Sequence, residues 1–234
     1  MSNFRIALGA GHSLNTPGKR CMKAIDPKET QEWFLNDRIC DKIQKLLADY
    51  DGYELLRVDD TEGKKQISVA ARNNAANNWK ADVCIAVHHN AGINGGTGGG
   101  IVAYVCKGVD ATTKAWQKDL YNALISHTGL KGNRANPLGV AQFQMLTGTK
   151  APAVLLELGF MDSKTDVPII LTDDYATKCA KAIVDVIVNR GGLTKKKSGK
   201  IYRVQVGAFS DRANASKLAD ELNRKGYPVC IKEG

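Results

Sequence analysis

One stretch limits the fold more than any other. Residues 81–91 read Ala-Asp-Val-Cys-Ile-Ala-Val-His-His-Asn-Ala. The apolar run Val83 to Val87 has polar residues on both sides, the pattern of a strand covered on both faces, and such strands belong to sheets with helices on each side. At its C-terminal end the run gives way to His88, His89 and Asn90, where an open α/β sheet usually presents its site. The expectation is an α/β fold, a single twisted, mostly parallel or mixed sheet flanked by helices on both faces, with this stretch as a central strand.

The preceding segments fit that plan. Phe4 to Leu8 is a short strand that runs into Gly9-Ala10-Gly11-His12-Ser13. Leu14 stands where a dinucleotide loop needs its third glycine, so that reading fails. What remains is a histidine at the mouth of the first strand, among small residues that let a ligand or metal approach. Asp26-Pro27-Lys28-Glu29 reads as a helix start, with Asp26 as N-cap, Pro27 at the first position and Glu29 completing a capping box, the helix running to about Leu47. On a wheel of about 100° per residue, Leu35, Ile39, Ile43, Leu46 and Leu47 form an apolar stripe with Glu32 at its middle and Glu29 at its edge. A carboxylate on a buried stripe needs a partner, and an ion pair with Arg or Lys is the simplest one.

Tyr53 to Val58 is a second strand, and Ile67 to Trp79 a helix with Ile67, Ala70, Ala71, Asn74 and Ala75 as a narrow face. Asn94 to Gly100 is glycine-rich without matching a phosphate motif, and reads as a flexible rim of the cleft. Ile101 to Val105 is a strand and Thr113 to Thr128 a helix, with His127 near its end favoured by the helix dipole and assigned no chemistry. Lys131 to Pro137 is a loop containing Asn133 and Arg134. Val140 to Leu146 and Pro152 to Phe160 read as strands. Glu157 ends an apolar run in the position His88 holds on its own strand, and a carboxylate so framed marks a candidate site. Tyr175 to Asn189 is a helix ended by Gly191-Gly192.

Residues 1–192 thus form one domain, 193–200 a basic linker, and 201–234 a β-α-β fragment. In that fragment Tyr202, Val204 and Val206 alternate, Ser210 or Asp211 caps a helix stopped by Gly226, and Tyr227 to Ile231 is a strand. It is too small to bury a core alone. Residues 193–234 carry 10 Lys/Arg against 4 Asp/Glu, while residues 1–192 carry 23 against 20, so the basic excess belongs mainly to the tail. Such a tail attracts nucleic acid, anionic lipid or an anionic wall polymer. No run reaches the roughly 18 to 20 apolar residues of a membrane span, and the N-terminus has no basic segment followed by a long apolar one. These features predict a chain made in the cytoplasm without an export signal. The cysteines Cys21, Cys40, Cys84, Cys106, Cys179 and Cys230 are scattered without a Cys-x-x-Cys pair, as expected of reduced core residues.

His12, Glu32 and His88 make a two-histidine, one-carboxylate set, the composition of a catalytic zinc site with an open position for water. Gly11-His12, Glu32 to Ile39, Arg72 to Asn77, Ala81-Asp82, His88-His-Asn-Ala91, Asn133-Arg134 and Pro152 to Phe160 with Glu157 follow one another in an order that resembles the zinc-dependent N-acetylmuramoyl-L-alanine amidases of the amidase-3 type. The resemblance covers about residues 4–190. It implies that His12, Glu32 and His88, rather than His89 or Glu29, bind Zn2+ and that Glu157 is catalytic. Asn90 and Arg134 become candidate substrate-binding residues, Arg134 toward a stem-peptide carboxylate or else in a structural salt bridge. Gly9-Ala10 and Ser13 flank His12 where many members carry Asp-Pro and glycine, and Leu158 replaces a small polar residue; these departures touch the cleft wall. The tail, from Ile201 to Phe209 and on through Gly226-Tyr-Pro228, is similar to the first half of a SPOR domain, a module that binds peptidoglycan glycan.

The resemblance implies hydrolysis of the amide between N-acetylmuramic acid and L-alanine, with bacterial peptidoglycan rather than nucleic acid as partner. It fits an autolysin acting from the mother cell during sporulation, or a phage lysin released through a membrane lesion. Two rivals are a zinc peptidase cutting within the stem peptide and a non-catalytic wall- or nucleic-acid-binding protein driven by the tail.

Overall fold

The computed structural model describes residues 2–197 and 204–232, which fall into two units, Met1–Lys196 and Lys197–Gly234. In chain order the first unit contains β1 (Phe4–Ala10), α1 (Glu32–Leu47), β2 (Tyr50–Asp51), β3 (Tyr53–Arg57), α2 (Val69–Trp79), β4 (Val83–Asn90), β5 (Ile101–Val105) and α3 (Ala111–Thr128). There follow β6 (Leu138–Val140), α4 (Gln144–Thr147), β7 (Ala153–Phe160), α5 (Val167–Ile170), α6 (Asp173–Gly191) and β8 (Thr194–Lys195). The sheet has the order β3-β1-β4-β7-β5-β6. Strands β3, β1, β4 and β7 are mutually parallel, and β5 runs antiparallel to β7. The stretch singled out in the sequence is therefore a central strand, β4, with a parallel neighbour on each side.

Alternation along the strands divides the core. Ile6 and Leu8 of β1, Val83, Ile85 and Val87 of β4, and Val154, Leu156 and Leu158 of β7 pack with α1, α3 and α6 on one face. Ala7, Cys84, Ala86, Ala153 and Leu155 face the other way, toward Ala76 of α2 and Leu146 of α4. Small side chains on that second face let α2 lie close to the sheet. The chain leaves β1 for β3 on one side and then crosses to β4 on the other, so the carboxyl ends of β1 and β4 flank a topological switch point, where such folds place ligands.

Several local expectations are corrected. Helix α1 starts at Glu32, not near Asp26, because Asp26 spends its carboxylate on the N–H groups of Lys28 and Thr30 in a closed loop, and Glu29 takes a left-handed φ of 50° that no helix continues. The inward face of α2 is Arg72, Asn73 and Ala76, not the alanine-rich one, since Arg72 and Asn73 reach backbone carbonyls across the interface. Residues expected as a strand from Val140 to Leu146 divide into the end of β6 and the short helix α4, which Asn73 holds through the carbonyl of Gln144 at 2.8 Å. The glycine-rich rim is tied down rather than loose. Gly98 N–H donates to Thr165 Oγ1, Gly99 N–H to Asn133 Oδ1 and Gly100 N–H to Asp166 Oδ2.

In the second unit, α7 (Arg212–Arg224) is capped by Asp211, whose carboxylate accepts from Ala213 N–H at 2.6 Å. The two strands expected beside it do not form among the described residues, Tyr202 lying outside them. Val204, Val206, Tyr227 and Ile231 are exposed, and Ala219 is the one buried residue described in the unit. One narrow helix face offers too little apolar surface to hold a strand on each side.

Candidate metal centre

Three elements deliver the candidate ligands. His12 lies two residues past β1, Glu32 opens α1, and His88 lies near the end of β4. Helix α1 packs on the opposite face of the sheet, but its first residue reaches the carboxyl ends of β1 and β4. Glu32 is fully buried, with Oε1 3.1 Å from His88 Nδ1 and Oε2 3.2 Å from His12 Nε2. The two imidazoles meet edge to face at a centroid distance of 5.1 Å. Ligand atoms from all three residues lie within 4.8 Å of one another.

His12 has a φ of 65°, unusual for a residue with a side chain. Arg72 holds it there: its guanidinium donates to the carbonyl of His12 at 3.1 Å and to that of Ala10. Gly11 is needed for a different reason than ligand access. A Cβ at that position would come within 2.1 to 2.5 Å of three atoms of the His88 ring. The small residue makes room for a ligand side chain, not for the ligand itself.

Glu32 is oriented from behind. Its Oε1 accepts from the backbone N–H of His89 at 3.2 Å and from Asn36 Nδ2 at 3.4 Å. Asn36 also donates to the carbonyl of Gly11 and lies 2.8 Å from His89 Nδ1 through its Oδ1. His89 is thus a buried brace on the other face of β4, and burial pushes its pKa down to about 3. Sequence reasoning missed Asn36, although four residues after Glu32 it too falls on the apolar stripe of α1.

The electrostatics favour a metal-ready form. Burial opposes the charge of Glu32, yet the hydrogen bond and charge of His88, followed by the charges of His12 and Lys19, hold its pKa down to about 2. Burial, partly opposed by Glu32, lowers that of His12 to about 4 and leaves the imidazole neutral, the state that binds metal. Glu32 Oε2 is buried with no hydrogen-bond partner among the described residues. A buried carboxylate flanked by two imidazoles, with one oxygen left without a hydrogen bond, is the donor set that zinc takes.

Glu157 sits directly across from His88 on β7. Its Oε2 is likewise buried and unpartnered, and burial raises its pKa to about 7. Asn90 lies past a register shift at the end of β4, its Oδ1 taken up by the N–H of Ala91 at 2.8 Å. Arg134 is exposed and stacks over Phe160, 4.4 Å from the ring centroid. Neither makes a hydrogen bond or ion pair with His12, Glu32 or His88. A cavity of about 150 Å³ beside His12 and His88, walled by Arg72, Asn73, Ala86 and Met145, is smaller than the roughly 300 Å³ of a usual ligand pocket.

Residues 6–189 match the family described as N-acetylmuramoyl-L-alanine amidase, and residues 198–233 match the SPOR domain. The chain is 29% identical over 230 residues to the sporulation-specific N-acetylmuramoyl-L-alanine amidase of Bacillus subtilis (strain 168), covering 97% of this chain and 84% of that protein. It is 29% identical over 195 residues to the endolysin of Bacillus phage SPP1, covering 83% and 68%. An N-acetylmuramoyl-L-alanine amidase from Clostridium difficile 630 superposes with a TM-score of 0.71 at 23% identity, over 81% of this chain and 97% of that one. The catalytic domain of CwlV from Bacillus (Paenibacillus) polymyxa var. colistinus gives 0.69 at 21%, over 80% and 97%. At these identities the two structures speak for the fold.

Proposed function

Because this chain belongs, over residues 6–189, to the N-acetylmuramoyl-L-alanine amidase family, we propose that it cleaves the amide between N-acetylmuramic acid and the L-alanine of the stem peptide through a zinc site made of His12, Glu32 and His88. The observation that carries the metal reading is the buried Glu32 carboxylate flanked by two histidines, its Oε2 without a hydrogen bond and met only by ion-pair contacts from His12 and Lys19. A bound zinc ion supplies a Lewis acid that polarises the scissile carbonyl and acidifies a water.

The remaining work falls to the chain's own residues. Glu157, in its apolar frame, keeps a carboxylate basic enough to accept a proton from water near neutral pH and acidic enough to return it. Its free Oε2 takes that proton and passes it to the departing amine of L-alanine. Asn36 and His89 keep Glu32 pointed at the centre, and Arg72 fixes the backbone of His12. Asn90 and Arg134 line the rim as candidate contacts for the substrate, Arg134 presenting a guanidinium next to Phe160.

The tail, matched to SPOR, would hold the enzyme on peptidoglycan glycan. Among the described residues no helix is long and apolar enough to cross a membrane. The setting we favour is wall lysis during sporulation, because the sporulation-specific relative matches nearly the whole chain, tail included; a lytic role like that of the phage relative is the second reading. The test is chemical. Digestion of purified peptidoglycan should release N-terminal alanine amines with no gain in reducing sugar ends; new amines on other stem residues would make the enzyme a peptidase.

A further inference from the structure

One cation at the proposed centre has no part in the mechanism above. The backbone of Lys19 is fixed, since its carbonyl accepts from Glu32 N–H at 2.9 Å and its neighbour Arg20 bridges to Gln31. Its side chain is 45% exposed, and its ammonium stands 3.9 Å from Glu32 Oε2. Three other basic side chains are engaged elsewhere: Lys23 with Glu29, Lys64 with Glu62, Arg134 with the Phe160 ring. Among the described lysines and arginines, Lys19 alone pairs with a carboxylate of the centre.

That pairing conflicts with the metal reading. A divalent cation on Glu32 Oε2 repels an ammonium about 4 Å from that oxygen, and the exposed side chain is free to turn into the cleft. The substrate meets it there. A stem peptide cut at L-alanine carries its next residue within about 7 Å of the scissile amide, since two extended residues span no more. A half-exposed, flexible ammonium suits a hydrated carboxylate, whereas an oxyanion donor must be held rigid before the reaction.

We infer that Lys19 binds the carboxylate on the stem-peptide residue that follows L-alanine, making the enzyme discriminate the free acid from its amide. The inference rests on the amidase reading. It predicts a specificity, not a general rate.

The test is calorimetric binding to the zinc-loaded, full-length Glu157→Gln chain, using a muramyl dipeptide with that carboxylate free and the same compound with it amidated. With Lys19 present the acid should bind about tenfold more tightly. In the Lys19→Met background the acid should fall to the affinity of the amide, and Lys19→Arg should restore much of the preference. Equal binding of acid and amide with Lys19 present would overturn the inference while leaving the amidase reading intact. An equal loss for both ligands in Lys19→Met would assign Lys19 to the centre itself and also overturn it. If neither ligand binds, the amidase reading falls and takes the inference with it.

Discussion

The imidazole of His88 fills the space that a side chain on Gly11 would occupy. Two candidate features far apart in sequence, a glycine just after β1 and a histidine near the end of β4, are thus one packing unit. Gly11→Ala should fold, because the clash lies with a side chain at the rim of the sheet, but it must turn His88 away. We expect zinc affinity to fall by 10-fold or more with little change in melting temperature of the metal-free chain, as read by competition with a chromophoric chelator.

Asn36 joins Glu32, the carbonyl of Gly11 and His89. Replacing it with Leu strands those groups in the interior, at a cost of about 1–3 kcal/mol in unfolding free energy. It also frees Glu32 to rotate, so zinc affinity should drop by about 10–100-fold. Chemical denaturation and zinc titration of the same sample measure both effects.

Arg72 uses two arms of its guanidinium on the carbonyls of Ala10 and His12. Lysine presents a single point of charge and cannot reproduce the fork. Arg72→Lys should therefore weaken zinc binding nearly as much as Arg72→Met, and recovery of full affinity by lysine would show that charge, not geometry, holds His12.

Glu157 gives a pH signature in the metal-free chain. Its folded pKa of about 7 lies above the ordinary carboxylate value, so between these the native state holds a proton that the unfolded state has lost. Its presence costs stability progressively as pH rises from about 4.5 to 7, by up to about 3 kcal/mol. His12, lowered to about 4, acts the opposite way, losing stability as pH falls below its unfolded value. The contribution of Glu157 is isolated by comparison with Glu157→Gln: the stability advantage of the variant should grow from pH 5 to pH 7.5 in denaturant titrations. The same variant should keep zinc and lose about 100-fold or more in hydrolysis.

Sequence and structure agree where the pattern depends on few neighbours. The apolar run before His88, and the one that Glu157 ends, each predicted a strand with a candidate residue at its carboxyl end, and β4 and β7 prove to lie side by side with these two residues in register. Less of α1 was legible, because Asp26 has the chemistry of an N-cap whether it opens a helix or closes a loop, and only the left-handed Glu29 decides. The inward face of α2 was hidden because a buried Arg72 is recognisable only once its acceptors, 60 residues away in β1 and His12, are known. Glycines 98–100 suggested freedom but serve close packing, which depends on Asn133 and Asp166 from distant loops. For the tail, alternation suggested strands, yet a ladder also needs partners that the described residues do not provide.

An amidase whose metal is held by His12, Glu32 and His88 leaves a chemical signature. Purified peptidoglycan digested by the chain, by its chelated form, and by the chelated form with zinc restored separates the outcomes by mass spectrometry. Stem peptides with a free L-alanine amine beside intact glycan should form, vanish after chelation and return with zinc. The same products at the same rate after complete chelation, or cuts between stem-peptide residues, would contradict this assignment.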